Sequence, residues 1–488
     1  MTIYAKMLGS LKWSSLTEIF SKLITPVTNM ILARLLAPEE FGVLATVTMV
    51  ISFTDILTDA GFQKYIIQHV FDDEESLDRS TNVAFWSNFV LSMLLWCVIV
   101  LFRNPIAAAV GSPGLGHVIS IAGVSMPLTS LSTLQMARFR RDFRYKQLFG
   151  VRLGALLLPL VVTVPLAALG LGFWSLIIGT IAGNLFNVVC LTLLSSWRPR
   201  LYFDFGLLRQ MFSYCFWTLM DSLAVWLTTM ADAFVIGTYL SDHYLGLYKT
   251  SLNTVNGIFA LISATVTSVL FVSLSKLQQD KKQMVQLFTS TQRMLAMLII
   301  PMGVGIFLFR DLATGILLGS QWMEAAPIIG CWALASIFRI CFVSLNSELY
   351  RASGHPKLPF LLQMLDLTIL APACLFGIRM GFWPFVMLRA LLRLDLVIPN
   401  LIIMKKRYDV PLLSTYSKLL PSIAAALAMA CAAVLLLQLV TGMVAQLACI
   451  AVCAGVYGAV LWLIPASRRD AERLISLAAR RFRNKQHP

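Results

Sequence analysis

Charge is what this chain has least of. Only 13% of its 488 residues are Asp, Glu, Lys or Arg, and acids are the scarcer sign, 24 against 39 bases. A soluble domain carries about 25% charged and roughly 45–50% apolar residues; here 58% are apolar, which excludes a soluble chain. Histidine is scarce too: His69, His117, His243, His355 and His487 are scattered and lie mostly between apolar runs. The nine cysteines fall inside apolar stretches, and the nearest pair, Cys449 and Cys453, has no His or second Cys pair beside it. A structural zinc site needs about four convergent ligands. Neither a metal nor a redox function follows, and the cysteines read as small packing residues. Long polar connections are missing on one side of the chain, which removes room for the extramembrane catalytic domain of a polymerase, ligase or glycosyltransferase. No phosphate-cradling, nucleophilic or metal-hydrolase motif occurs. The expectation is a protein that is not an enzyme and holds no cofactor.

Long apolar runs are what the chain has in abundance, with a mean hydropathy of +0.78. They reach the roughly 20 residues a helix needs to cross a bilayer, well beyond the ~10 of a barrel strand. The fold class is therefore all-α, a polytopic membrane protein with about 14 transmembrane helices. The first six fall near 14–35, 41–63, 81–102, 115–135, 150–170 and 173–195. Six more fall near 211–238, 245–272, 286–308, 325–349, 358–378 and 382–403, and the last two near 416–438 and 441–464. Lys6 and Lys12 precede a run that continues to Leu36, which reads as an uncleaved first span rather than a cleavable signal peptide.

Of the 39 bases, 30 lie in one set of loops, Arg103, Arg310 and Arg379 lie in the opposite set, and six lie within spans. Cytoplasmic loops collect Lys and Arg, so both termini are expected in the cytoplasm of a bacterial inner membrane. The segment RFRRDFRYK (138–146) reads as a juxtamembrane loop that fixes topology and touches anionic lipid. It does not require nucleic acid.

Two short passages repeat. LARLLAPEEFGVLA (32–45) and IGTYLSDHYLGLYK (236–249), offset by 204 residues, align Leu36 with Leu240, Phe41 with Leu245, Gly42 with Gly246 and Val43 with Leu247. Each joins the first and second spans of a six-span set, on the non-cytoplasmic side. The expected organisation is two pseudo-symmetric six-helix bundles, 1–200 and 201–408, then two additional transmembrane helices over 409–466 and a basic cytoplasmic tail over 467–488. Parallel repeats of this kind place a substrate site between the halves.

Polar side chains inside a span are costly and face a cavity or one another. Span 1 carries Glu18, Lys22, Thr25 and Asn29 on one helical face, and span 2 carries Thr48, Ser52, Asp55 and Asp59 at the same spacing. Span 7 offers Thr218, Asp221, Thr228 or Thr229, and Asp232; span 8 offers Lys249, Asn253, Asn256, Ser263 and Thr267. Four such stripes imply a hydrated central cavity, although Glu18 and Lys22 at i, i+4 also suit simple mutual neutralisation. The signs are mixed. In-span bases are Lys22, Arg34, Lys249, Arg339, Arg389 and Arg393, against the acids Glu18, Asp55, Asp59, Asp221, Asp232, Glu348, Asp366 and Asp395. Lys22, Lys249 and Arg339 are candidates to grip phosphate; Asn29, Asn253 and Asn256 are candidates to contact sugar. Asp366, Arg389, Arg393 and Asp395 suggest an ion-pair cluster, either structural or a relay for a proton or cation. Trp174, Trp197, Trp322, Trp383 and Trp462 read as interfacial anchors, while Trp217 and Trp226 offer a sugar ring a flat face.

The stretches KWSSL (12–16), ILARLLAPEEFGVLA (31–45), LFVSLSKLQQD (270–280) and LLGSQWMEAAPII (317–329), with Asp55, Asp59, Gly61, Phe62, Ile66, Ile67 and Gln68, resemble a known group. They are similar to the flippases for lipid-linked oligosaccharides of the multidrug/oligosaccharidyl-lipid/polysaccharide exporter superfamily, in particular its colanic-acid or exopolysaccharide exporter branch. The resemblance runs over about residues 10–405. It implies two bundles meeting in a V with spans 1, 2, 7 and 8 lining the cleft. It also implies alternating access for an undecaprenyl-pyrophosphate-linked glycan, used in exopolysaccharide, capsule or O-antigen assembly, whose polyprenyl tail stays in lipid. Membrane lipids, a polysaccharide polymerase and chain-length machinery are the implied partners. Some relatives place sodium between spans 7, 11 and 12, where this chain has Asp221 or Asp232 and Asp366; Arg389 and Arg393 would replace that cation with fixed charge. Coupling to a proton or sodium gradient stays open. Two rivals remain: a cation-coupled drug or metabolite antiporter of the same superfamily, suggested by Asp55, Asp59, Asp221 and Asp232, and a non-transporting scaffold for glycan synthesis.

Overall fold

The computed structural model describes residues 3–464 except Ala60, Val70, Gln278, Gln279, Pro356 and Thr441. The tail expected over 467–488, and the side chains of Asp59, Trp217, Thr218, Asp221 and Thr267, lie outside the described residues. Every regular element among the described residues is helical. A chain in hydrocarbon must satisfy its backbone within each segment, and these Leu-, Ala- and Ile-rich runs meet that demand as helix.

The described residues divide into two compact units. The first takes residues up to Thr250 with Leu370–Phe382, and the second takes Ser251–Ile369 and the residues from Trp383 onward. The long elements are α1 (Ile3–Leu35), α2 (Pro38–Asp59), the short α3 (Phe62–Gln68), α4 (Glu74–Leu101), α5 (Ser125–Arg141), α6 (Tyr145–Val161) and α7 (Phe173–Leu194). They continue as α8 (Phe205–Tyr239), α9 (Asp242–Lys276), α10 (Lys281–Leu308), α11 (Ala326–Arg339) and α12 (Leu345–Ala352). The last are α13 (Lys357–Arg379), α14 (Phe382–Leu391), α15 (Val397–Tyr408), α16 (Leu420–Leu439) and α17 (Met443–Leu463). Eleven segments among the described residues are long and apolar enough to cross a membrane, and each coincides with an expected span. The helices at expected spans 1, 8 and 12 are not among the eleven. Spans 1 and 8 carry charged or amide-rich stripes, and span 12 is broken by a 3-10 turn at Leu392–Leu394.

Acids start three of the long helices. Asp73 accepts from Ser76 N at 2.7 Å in a capping box before α4, Asp204 accepts from Gly206 N before α8, and Asp280 accepts from Gln283 N before α10. Each carboxylate satisfies an amide that has no carbonyl partner at a helix start.

In the first unit α3 seats Tyr65 and Ile66 against Phe85, Leu134 and Trp197 in a buried cluster. Tyr65 also stacks on His69 at 4.7 Å, while Lys64 points outward. In the second unit Trp322, Phe288 and Tyr350 are fully buried. Trp197 and Trp322 are thus interior residues rather than interfacial anchors. Position near a span end does not fix the rotamer direction of an indole, and here both rings point inward.

Candidate functional site

The two repeated passages touch each other inside the first unit. Gly42 approaches Asp242 so closely that an added Cβ would lie 1.8 Å from the Asp242 carbonyl oxygen. Gly246 approaches Pro38 in the same way, with 1.8 Å to the Pro38 carbonyl oxygen. Because 42 corresponds to 246 and 38 to 242, the contacts are reciprocal, as an approximate two-fold relation between the turns requires. Glu39 and His243, also corresponding positions, meet across it at 2.6 Å. Asp242 additionally accepts from Ser112 Oγ at 2.7 Å. Leu36, Val43, Leu245 and Leu247 are buried beneath these turns. Glycine is needed at both crossings for clearance, not for backbone freedom.

On the last turns of α2, Asp55 and Thr58 open onto a cavity of about 250 Å³ together with Gln63, Asn88, Thr129 and Thr133. Asn88 is buried and accepts from Ser92 Oγ at 3.3 Å. The α5 hydroxyls donate back along their own helix: Thr129 Oγ1 to the Ser125 carbonyl, Thr133 Oγ1 to the Thr129 carbonyl. That leaves the hydroxyl lone pairs to accept. Gln63 donates to the Thr133 carbonyl and accepts from Arg140 at 2.8 Å. The result is a wall of amide and hydroxyl groups with one carboxylate, suited to a neutral, hydroxyl-rich ligand.

The other expected residues of the first unit are placed as follows. Lys22 pairs with Glu18 at 3.1 Å. Thr25 is exposed and Asn29 is half-buried on the same helix. Asp232 is buried and accepts from Tyr248 Oη and from the Ala233 amide, both at 2.8 Å. Lys249 donates to the Thr229 carbonyl at 3.5 Å. Trp226 donates to Ser52 Oγ at 2.9 Å and packs on Phe53, so its face is covered by α2.

In the second unit Arg339 ends α11 and reaches Asp366 on α13 at 2.9 Å and Asp395 at 3.8 Å. Asp395 Oδ1 also caps the Leu396 amide. Arg393 lies over the Trp332 ring at 4.1 Å and Arg389 at 5.7 Å. The same indole donates to Asn256 at 3.3 Å. Asp366, Arg389, Arg393 and Asp395 therefore share one neighbourhood, organised by Arg339 and Trp332. Trp332 was not singled out from sequence; its signal is the spacing Trp332–Arg339 on one face of α11, two turns apart. Asn253 is exposed, near the start of this unit. Among the described residues no group of three His, Cys, Asp or Glu could hold a metal ion.

The helices and the polar cavity define an all-α, multi-pass membrane protein with a transporter-like fold. Residues 31–327 match the family described as polysaccharide biosynthesis protein, more than half of the chain, so the chain belongs to that family. The chain is 26% identical over 330 residues to the succinoglycan biosynthesis transport protein ExoT of Rhizobium meliloti, covering 66% of this chain and 65% of ExoT. It is 21% identical over 387 residues to the lipopolysaccharide biosynthesis protein WzxC of Escherichia coli, 78% of this chain and 77% of WzxC. The chain thus spans just under two thirds of ExoT and about three quarters of WzxC. The structure of the Lipid II flippase MurJ in an inward closed conformation superposes with a TM-score of 0.74 at 15% identity, covering 92% of this chain and 98% of that one. An inward-facing multidrug resistance MATE family transporter of the MOP superfamily gives 0.54 at 12% identity, covering 80% and 94%. The fold is theirs, and the family resemblance read from sequence is borne out.

Proposed function

We propose that this protein moves polyprenyl-pyrophosphate-linked oligosaccharide repeat units across the bacterial inner membrane by alternating access, for exopolysaccharide, capsule or O-antigen assembly. The observation that carries this reading is the amide- and hydroxyl-lined cavity of Asp55, Gln63, Asn88 and Thr129 within a membrane-spanning unit. Polar groups inside a bilayer are costly and face a cavity or one another, and neutral hydroxyls and amides match a saccharide better than a cationic drug. The names of ExoT and WzxC, a succinoglycan transport protein and a lipopolysaccharide biosynthesis protein, point the same way. In this reading Asp55 and Asn88 contact sugar. Arg339 is committed to Asp366 and serves packing, whereas Lys249, held only by long contacts to the Thr229 carbonyl and the Met230 sulfur, is available to phosphate. A coupling sodium ion beside Asp366 would compete with that fixed guanidinium.

The test is reconstitution of the full chain in vesicles with a labelled polyprenyl-pyrophosphate saccharide on one leaflet. Transfer is read by exposure of the sugar to a membrane-impermeant glycosidase. Protein-dependent exposure is expected. Vesicles that extrude a cationic dye and leave the glycan lipid in place would support the antiporter, and vesicles that move neither would support the scaffold; either result overturns the proposal.

A further inference from the structure

The first unit holds another cavity, about 360 Å³, between α1, α5, α6 and α7. Its lining includes the polar residues Glu18, Ser21, Arg140, Tyr145, Arg152 and Asn187. Apolar residues interleave with them one turn away on the same helices: Met136 with Arg140, Leu148 and Leu156 on either side of Arg152, and Leu191 with Asn187. Glu18 is neutralised by Lys22, so the lining is net positive.

The basic segment 138–146 reads from sequence as a topology signal, and most of its arginines are indeed tied down. Arg138 binds Asp78 at 2.7 Å and Glu74 at 3.4 Å. Arg141 donates to the carbonyls of Ile66 and His69, both at 2.8 Å, closing the end of α3. Arg144 donates to Gln147 at 2.6 Å. Arg140 uses one nitrogen on Gln63 and keeps further donors. Arg152 differs: it makes no hydrogen bond or ion pair with any described residue, and neither do Ser21, Tyr145 or Asn187. Arg152 is exposed and opens onto the cavity beside these other unengaged donors, so its guanidinium can take an anion there without breaking a bond to the protein.

We propose that this cavity binds the phosphate of a lipid, with Arg152 and Arg140 as phosphate ligands, Tyr145, Ser21 and Asn187 as additional donors, and the hydrocarbon in contact with the interleaved apolar residues Met136, Leu148, Leu156 and Leu191. Cations and donors interleaved with apolar side chains suit a phosphate that carries a chain; a soluble phosphate gains nothing from the leucines. Two lipids share this chemistry, a polyprenyl pyrophosphate and an anionic glycerophospholipid. The site also adjoins the sugar-type cavity through the Arg140–Gln63 hydrogen bond. The proposal deepens the transport reading if the lipid is the polyprenyl one, but it is read by binding and stands or falls without transport.

The experiment measures equilibrium binding of undecaprenyl pyrophosphate, phosphatidylglycerol and phosphatidylcholine to the purified full chain in detergent, with native mass spectrometry as the occupancy count. One of the two anionic lipids should bind at least ten-fold more tightly than phosphatidylcholine, and which one does identifies the source. Arg152→Gln should weaken it about ten-fold or more, Arg152→Lys less, and Arg209→Gln, an exposed base outside the cavity, not at all. Ala155→Phe, which adds bulk to the cavity lining, should also displace the lipid, and thermal melting confirms that each variant is folded. Equal binding of all three lipids, or a folded Arg152→Gln that binds as tightly as the parent, overturns the proposal.

Discussion

Replacing Gly42 by alanine puts a number on the crossing of the two turns. The new Cβ would sit 1.8 Å from the Asp242 carbonyl oxygen and 2.5 Å from its carbon. A carbon–oxygen contact settles at about 3.3 Å or more, so the turns must retreat by roughly 1.5 Å. Overpacking of this size costs about 1–3 kcal/mol. Alanine is also the better helix former, by up to about 1 kcal/mol; that gain is shared by every state in which α2 is helical and cancels between them. On the transport reading the turns separate in the opposite state, so the cost falls on the closed state alone. The equilibrium should then move toward separated turns by roughly five- to 150-fold. Gly246→Ala should act alike through Pro38, and the double variant should fall short of the sum because both changes relieve one crossing. The measurement is the rate at which a short, reducible bifunctional thiol reagent bridges cysteines placed at 39 and 243, where the side chains of Glu39 and His243 meet at 2.6 Å when the turns are closed. Adding Gly42→Ala should slow it at least five-fold. A folded Gly42→Ala variant that cross-links at the parent's rate would refute the steric argument.

The same Glu39→Cys/His243→Cys pair, once bridged by that reagent, should abolish polymer export in whole cells, and reductant should restore it. Arg339→Gln leaves Asp366 and Asp395 buried near each other without their cation, and breaking such a pair costs about 3–5 kcal/mol; protein level in the membrane should collapse, and adding Asp366→Asn should recover it, as immunoblots would show. Asn88→Leu should leave expression near normal yet cut glycan export ten-fold or more, because it replaces a buried amide at the hydroxyl-lined cavity with a non-bonding group.

The helical class was legible because hydropathy and length act locally, and eleven of the expected spans reappear at their places. The stripes of span 2 led to Asp55 and through it to the cavity. The rest of that cavity was hidden for a physical reason. Thr129 and Thr133 bond to carbonyls one turn back, as hydroxyls in any membrane helix do, so nothing in their spacing marks them. Arg339, Asp366 and Trp332 form one cluster only because α11, α13 and the broken span-12 helix converge, and pairing across helices leaves no period along any one of them. Arg152 was counted as loop charge, since a census of bases measures where they lie and not whether they are spent.

The paired glycines show how far a weak sequence signal reaches when one geometric relation stands behind it. Gly42 and Gly246 alone are two small residues on two helices. A two-fold relation between the turns, however, forces whatever Gly42 makes with position 242 to be made by Gly246 with position 38, and sets the side chains at 39 and 243 face to face. Steric clearance at one crossing therefore demands it at the other, and an acid at 39 is best met by a base or donor at 243. That is why the similarity concentrates at these turns and fades along the helices: the turns touch each other, whereas the flanking faces answer to different neighbours.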